Sequence, residues 1–397
     1  MKSKKSIVII GGPIEQKIDP VLILKPSGQG KLASAIADEF ENKGYQVRRL
    51  GNFDKAEKRS YEDLQVDVKN LRSNAVIFMA HMPNVLVGYN QSKLRAAQGE
   101  EINLILKRAP KLVQGVKKYN PEVLLVPFKL AEPEMSKIEI VRWMLSLHAG
   151  LAVYSRLGDS KTYYIIDALA NEIKVKKENL RAVLFEEIDR MLNAKRRRSV
   201  RRGSKKIKVK YLKEFSEFSS SFKKAFEQAN EKNVMSGRWP GNFSFRCSHG
   251  FISERQSDGF VITKRNISKQ DLCENDFVEV SLRLEDEKII YWGDENAKPS
   301  IDSPVHRLLY EKIPWVNHII HGHLLLSGPN IVSNKIKRWP CGAENEAEEI
   351  IRHAPKENPL EYWGVNIEGH GFVILIRDIN PKKALNAIKK LEHKSFV

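Results

Sequence analysis

The segment Lys195–Lys210, KRRRSVRRGSKKIKVK, contains no acidic residue. Like charges at that density repel one another and resist burial, so it predicts a solvated basic linker between two parts that fold separately. The residues on either side differ in pattern. Long apolar runs alternate with helical spacing before it, and short strands cluster after it. The expected boundaries are a first domain at 1–194, the linker at 195–210 and a second domain at 211–397.

Hydrophobic residues make up 42% of the 397, enough for a core in each part. The longest apolar stretches, Val123–Phe128 and Ile319–Leu326, fall well short of the roughly 20 residues that span a bilayer, so no membrane partner is expected. The apolar stretch after the basic start ends at Gly11-Gly12, too soon for a secretory signal. Three cysteines with no CxxC pair exclude a disulfide framework. Together these point to a cytoplasmic protein. The formal net charge of +18 attracts anions. No aromatic residues interleave the basic run to stack bases, so a phosphorylated small molecule is the expected partner and nucleic acid is not.

Before the linker, strands are expected at Ser6–Ile10, Tyr45–Leu50, Asn74–Ala80 and Glu122–Pro127, with helices at Lys31–Lys43 and Leu180–Ala194. That alternation predicts an α/β domain built on a parallel sheet. After it, strands at Gly241–Arg246, Gly259–Thr263, Asp276–Leu284, Lys288–Tyr291, Asn317–Leu325, Tyr362–Ile367 and Phe372–Arg377 predict an α+β domain. Helices at Phe215–Asn230, Pro304–Lys312, Ala343–His353 and Pro381–Leu391 accompany them.

His321-Gly322-His323 lies within an apolar run. Side chains two apart on a strand point the same way, so both imidazoles can face one cation, while His318 has the opposite parity and faces away. A third histidine, His370, stands between Gly369 and Gly371 directly before a strand, and those glycines let backbone crowd a site. Three neutral imidazoles with an open position form the arrangement of a catalytic zinc or another divalent metal. Cys247, Cys341, His249 and His306 lie near these segments and read first as packing or supporting groups.

Gly241-Asn242-Phe243-Ser244, Val261-Ile262-Thr263, Ser300-Ile301-Asp302 and the histidine segments occur in one order. That order resembles the class II aldolase/adducin family over the C-terminal half, with an α/β/α class II aldolase-like fold. The resemblance implies zinc on His321, His323 and His370, and a substrate phosphate held by Asn242, Ser244, Thr263 and Ser300. It also implies Asp302 as the group moving a proton beside the carbonyl. Ile301 replaces a family serine. The one tyrosine between the second and third ligands is Tyr362, outside the expected loop, where Lys335, Lys337, Arg338 and Trp339 stand. Retro-aldol cleavage of a sugar phosphate through an enediolate is the implied reaction. Epimerisation or dehydration fits the same residues, and the adducin branch offers a non-catalytic assembly role. The family also implies a homo-oligomer, a tetramer or dimer.

The N-terminal half carries Gly11-Gly12, then Ser27-Gly28-Gln29-Gly30-Lys31, then Gln91-Ser92-Lys93 and Val126-Pro127-Phe128-Lys129. It resembles the phosphopantothenate–cysteine ligase family, which implies a Rossmann-like domain, ligase activity and a nucleotide, CTP or ATP. The implied nucleotide-binding residues are Gly11, Gly12, Gly28, Gly30, Lys31, Lys93, Phe128 and Lys129. The family's Asn before its Ser-Ser-Gly-Lys is displaced, its Asp is absent from Ala80-His81-Met82-Pro83-Asn84, and Tyr154 or Ser155 replaces a later Asn. These departures favour retention of fold and nucleotide binding over the ligase reaction.

Overall fold

The sequence SIVIIG forms strand β1 (Ser6–Gly11) because a run of β-branched residues suits a strand covered on both faces; Ile7, Ile9 and Ile10 have no exposed surface. The structure, a computed structural model, describes residues 5–14, 16–17, 23–24, 30–80, 85–87, 106–108, 111–159, 161–167, 171–204, 207, 209–221, 241–247, 258–267, 269, 272–357 and 361–394. They divide into two compact units, Met1–Leu192 and Asn193–Val397.

In the first unit β1 is flanked in parallel by β2 (Gln46–Gly51) and β3 (Ala75–Phe78). The parallel array continues through β4 (Leu124–Ala131) to β5 (Leu151–Arg156). Two antiparallel strands, β6 (Thr162–Asp167) and β7 (Glu172–Lys176), extend that edge, giving the order β7-β6-β5-β4-β3-β1-β2. Helix α1 (Lys31–Asn42) buries Ala33, Ile36, Ala37 and Phe40, a single helical stripe, against this sheet. Helices α2 (Tyr61–Asn70) and α4 (Lys137–Ser146) start with capping boxes at Ser60/Asp63 and Ser136/Glu139. Between them lies α3 (Leu112–Tyr119), and α5 (Leu180–Leu192) packs Leu184 and Ile188 into the same core. Strands β5 to β7 escape the sequence reading because Tyr, Lys and Glu interrupt their apolar pattern.

The second unit is built on a nine-stranded mixed sheet, with a small antiparallel pair, Leu325–Ser327 and Glu392–Lys394, beside it. The strands of the large sheet are β8 (Ser199–Gly203), β9 (Asn242–Arg246), β10 (Gly259–Thr263), β11 (Phe277–Glu285) and β12 (Lys288–Trp292), then β13 (His318–Gly322), β14 (Ile331–Ile336), β15 (Tyr362–Ile367) and β16 (Gly371–Ile376). Their order is β8-β12-β11-β10-β9-β13-β16-β15-β14. One face is covered by α6 (Leu212–Ser221) and α9 (Lys382–Ile388), through Phe215, Phe218, Leu385 and Ile388. The opposite face is covered by α7 (Ser303–Lys312) and α8 (Glu344–His353), through Val305, Leu309, Ala347 and Ile350. Beyond Ser221 the expected helix lies outside the described residues.

The basic run is not wholly a solvated linker. Ser199–Gly203 pairs in parallel with β12 as an edge strand, and the run falls inside the second unit. Two of its arginines meet acids: Arg202, itself exposed, pairs with Glu285, and the partly buried Arg197 pairs with Glu287 and Glu344. Acids brought from distant positions offset part of the charge that the local sequence leaves unbalanced.

Candidate metal centre

Strand β13 sits mid-sheet between β9 and β16, with His321 opposite Asn242 on one neighbour and Val373 on the other. Alternation places His318 on the α6 face, against Phe215 and Phe245. His321 takes the other face, toward α7 and α8. The chain leaves β13 at Gly322, which puts His323 beside the end of the strand. The turn before β16 supplies His370.

The three rings form a cluster, with centroids 5.1 Å apart for His321–His323, 4.8 Å for His321–His370 and 5.3 Å for His323–His370. One nitrogen from each ring lies within 4.8 Å of the others. Nitrogens about 2.1 Å from one tetrahedral zinc lie roughly 3.4 Å apart, so modest ring movement closes the set on an ion. This crowding needs glycine: a Cβ on Gly371, at φ +137°, would stand 1.9 Å from the Gly322 carbonyl oxygen.

The surroundings select the ligand atoms. Nδ1 of His321 donates to the Phe372 carbonyl at 2.9 Å, and its Nε2 is buried with no hydrogen-bond partner among the described residues. Nδ1 of His370 donates to Oε2 of Glu346 at 2.7 Å. Its Nε2 lies 3.5 Å from Sγ of Cys341. Orientation of a ring by a carbonyl or carboxylate behind it is how proteins present histidine to a metal. Burial, with neighbouring His321 and His370, holds His323 well below the ordinary histidine pKa, so it is neutral. Burial also lowers the pKa of His321, against the opposing pull of Asp302 and Glu346. For His370 burial also lowers the pKa, but Glu346 and Cys341 outweigh it and carry the ring well above its usual value.

Asp302 occupies the N-cap of α7 without capping it. Its Oδ2 instead accepts from Nδ2 of Asn242 at 2.8 Å and lies 4.0 Å from Nε2 of His321. Its Oδ1 and the Oδ1 of Asn242 are buried and unpartnered among the described residues. A site lined by bare imidazole nitrogen, carboxylate and amide oxygen fits a divalent cation and a polar ligand better than it fits a packed core.

The hydroxyls expected around a phosphate have partners within the domain. Ser244 is fully buried, with Oγ 2.7 Å from Nδ1 of His306 and 2.9 Å from the Tyr310 hydroxyl. Burial holds His306 down to about 3, so it stands there as a neutral ring. The Thr263 hydroxyl accepts from the Phe243 amide at 3.3 Å, and Ser300 Oγ accepts from the Asp302 amide at 3.4 Å. Ile301 is 47% exposed, and its carbonyl oxygen abuts Gly342, where a Cβ would stand 2.2 Å away. The Tyr362 hydroxyl donates to the Pro329 carbonyl. Cys247 is buried in the core, whereas Cys341 reaches the cluster. His249 lies outside the described residues.

Sequence reasoning missed Glu346, whose only signal was its place in the first turn of a helix running up to His353. It also missed Lys269, a 6% exposed cation that senses the charge of Asp302 and is in turn sensed by His323.

In the N-terminal unit a cavity of about 920 Å³ opens among the carboxyl ends of the parallel strands, lined by Gly12, Gly30, Lys31, Phe128, Lys129 and Arg156. Gly12 and Gly30, both at positive φ, are required by packing against Asn52 and Phe53, which a Cβ would meet at 2.2 and 2.4 Å. Gly11 packs against Ala33 and Phe53. Lys129 lies over the Trp143 ring. Gly28 and Lys93 lie outside the described residues.

The Class II Aldolase and Adducin N-terminal domain family matches residues 222–327, a span that includes His321 and His323 but not His370. The chain is also 26% identical over 151 residues to the Coenzyme A biosynthesis bifunctional protein CoaBC of Thermococcus kodakarensis, covering 34% of this chain and 36% of that one. It therefore spans about a third of the length of this curated relative. Among solved structures, the DNA/pantothenate metabolism flavoprotein from Streptococcus pneumoniae aligns at 20% identity and TM-score 0.41, covering 47% of this chain and 98% of that one. The l-fuculose-1-phosphate aldolase from Thermus thermophilus aligns at 20% identity and TM-score 0.27, over 43% and 85%. With a histidine cluster built on the sheet of its second unit and a parallel sheet in its first, the chain joins a class II aldolase-like domain to a CoaBC-like domain.

Proposed function

We propose that the C-terminal domain is a zinc-dependent lyase that cleaves a phosphorylated sugar by a retro-aldol reaction. The observation that carries this reading is the convergence of His321, His323 and His370 within 4.8 Å, beside a carboxylate with one unpartnered oxygen among the described residues. Zinc in that position supplies a Lewis acid that polarises a substrate carbonyl. Asp302 acts as the proton carrier. Asn242 fixes its Oδ2, which leaves Oδ1 to hold or return a proton at the carbon beside the carbonyl. Ile301, next to Asp302, and Cys341, next to His370, flank these groups where their two segments meet at Gly342.

Cleavage also needs a group to take the proton from the hydroxyl that becomes the aldehyde. Tyr362, the one tyrosine in the sequence between His323 and His370, is committed to Pro329. That favours, as a second reading, epimerisation or dehydration at the same site with Asp302 as the base. Metal analysis of the purified full chain beside His323→Ala tests the primary claim. Close to one zinc per native chain, and far less in the variant, is expected; equal zinc in both overturns it. Aldehyde release from phosphorylated ketoses then separates cleavage from the second reading.

For the N-terminal domain we propose nucleotide binding, CTP or ATP, in the cavity beside Lys31 and Lys129. Ligands of open parallel sheets sit at this end of the strands. Calorimetric titration of the full chain with each nucleotide, against Lys129→Ala, checks it; heat identical in native and variant chains overturns the assignment.

A further inference from the structure

The first residues of the basic run reach the helix that orients His370. Helix α8 is capped by Ala343, whose methyl group accepts nothing, so its leading N–H groups lack a side-chain partner of their own. The partner comes from far away in sequence. The Glu344 amide donates to the Lys195 carbonyl at 2.9 Å, and the Lys195 amide donates to Oδ1 of Asn345 at 2.7 Å. The Glu344 carboxylate, 3% exposed, then accepts from Nε of Arg197 at 2.7 Å and from Nη2 of Arg307 at 2.8 Å. Arg307 belongs to α7, little more than one turn beyond Asp302.

Glu344 therefore joins the two helices that carry the site's carboxylates, with Arg197 as its outer clamp. Residues two apart on a helix do not share a face. Glu344 can thus face the arginines while Glu346, in the same turn, faces His370. A shift of that turn moves both.

We propose that Arg197 is a positioning residue of the metal centre: by holding Glu344 it fixes the first turn of α8, sets Glu346 against Nδ1 of His370 and so raises zinc affinity. The proposal rests on the zinc reading of the three histidines. It assigns to the basic run a part in the chemistry of the second unit.

The test is zinc affinity of the full chain, by competition with a chromophoric chelator. Arg197→Ala is expected to bind zinc about tenfold more weakly, within the roughly 10–100-fold range of groups supporting a metal ligand. Arg197→Lys, which restores a donor, should recover most of that loss. Arg201→Ala, on the same run but bonded to the Gly293 carbonyl, should bind zinc as the native chain does. The visible spectrum of the cobalt(II)-loaded chain should change in Arg197→Ala and not in Arg201→Ala. Arg197→Gln, which keeps the packed stem, stands in if the alanine variant fails to fold. Unchanged affinity and spectrum at position 197, or an equal loss in Arg201→Ala, overturns the positioning role alone. A native chain that takes up no zinc overturns the zinc reading itself.

Discussion

Oε2 of Glu346 lies 2.7 Å from Nδ1 of His370, and both groups are almost fully buried. The carboxylate fixes which nitrogen of the ring carries hydrogen and so which one is offered to an ion. Replacing Glu346 by Gln keeps the shape and removes the charge. Zinc affinity is expected to fall roughly 10- to 100-fold, measured by chelator competition, with little change in the circular dichroism of the metal-free chain.

Asp302 is held on one side only. Asp302→Asn should retain zinc, because the three histidines are untouched. It should lower kcat by about 10²–10⁴, the usual contribution of a positioned acid or base. Steady-state kinetics with metal content measured on the same sample checks both halves. Loss of zinc together with activity would mean that Asp302 supports the ligands instead.

Gly371→Ala tests the close approach of two strands. The substitution adds a Cβ 1.9 Å from the Gly322 oxygen, at a φ of +137° that L side chains rarely adopt. Strain and overpacking together should cost about 2–5 kcal/mol in denaturant unfolding. Zinc binding should weaken as His323 and His370 are pushed apart.

Lys269 gives a pH dependence. Burial lowers its pKa to about 8, against 10.5 for the ordinary side chain, and Asp302 opposes that change. Between those values the unfolded chain binds a proton that the folded chain does not, so stability rises with pH through this window. Below pH 8 the buried charge carries its full cost. Metal-free native protein should therefore gain about 3 kcal/mol relative to Lys269→Met on going from neutral pH to the top of the window, at roughly 1.4 kcal/mol for each pH unit that separates the two values. Urea unfolding of both chains across that range measures it, and a constant difference would refute it.

The residue pattern conveyed what depends on periodicity and little of what depends on tertiary contact. The opposite parity of His318 and His321 was legible because a strand repeats every two residues. His323, expected on the same strand face as His321, is instead placed by the chain as it leaves the strand at Gly322. The apolar runs of β1, β3 and β10 were legible because strands buried on both faces admit few polar residues. Ser244 was not legible in the same way. Its hydroxyl is claimed by His306 and Tyr310, more than 60 residues away, and no local pattern shows which polar group a buried serine will meet. The basic run misled for a related reason: charge density describes the segment alone, whereas Glu285, Glu287 and Glu344 arrive through folding. Glu346 was hidden among the many glutamates of an ordinary helix.

Strand β13 lies in the interior of a nine-stranded sheet, so His321 is fastened to the kind of element that opens last, with His323 and His370 at the ends of β13 and its neighbour β16. The exposed side chain of Ile301, by contrast, sits on a connecting segment whose backbone abuts Gly342. On the proposed reading, substitutions at Ile301 are expected to change which molecule is accepted while His321, His323 and His370 keep their places. On that reading, new substrate preferences can be sought by varying this connecting segment, without rebuilding the sheet beneath it.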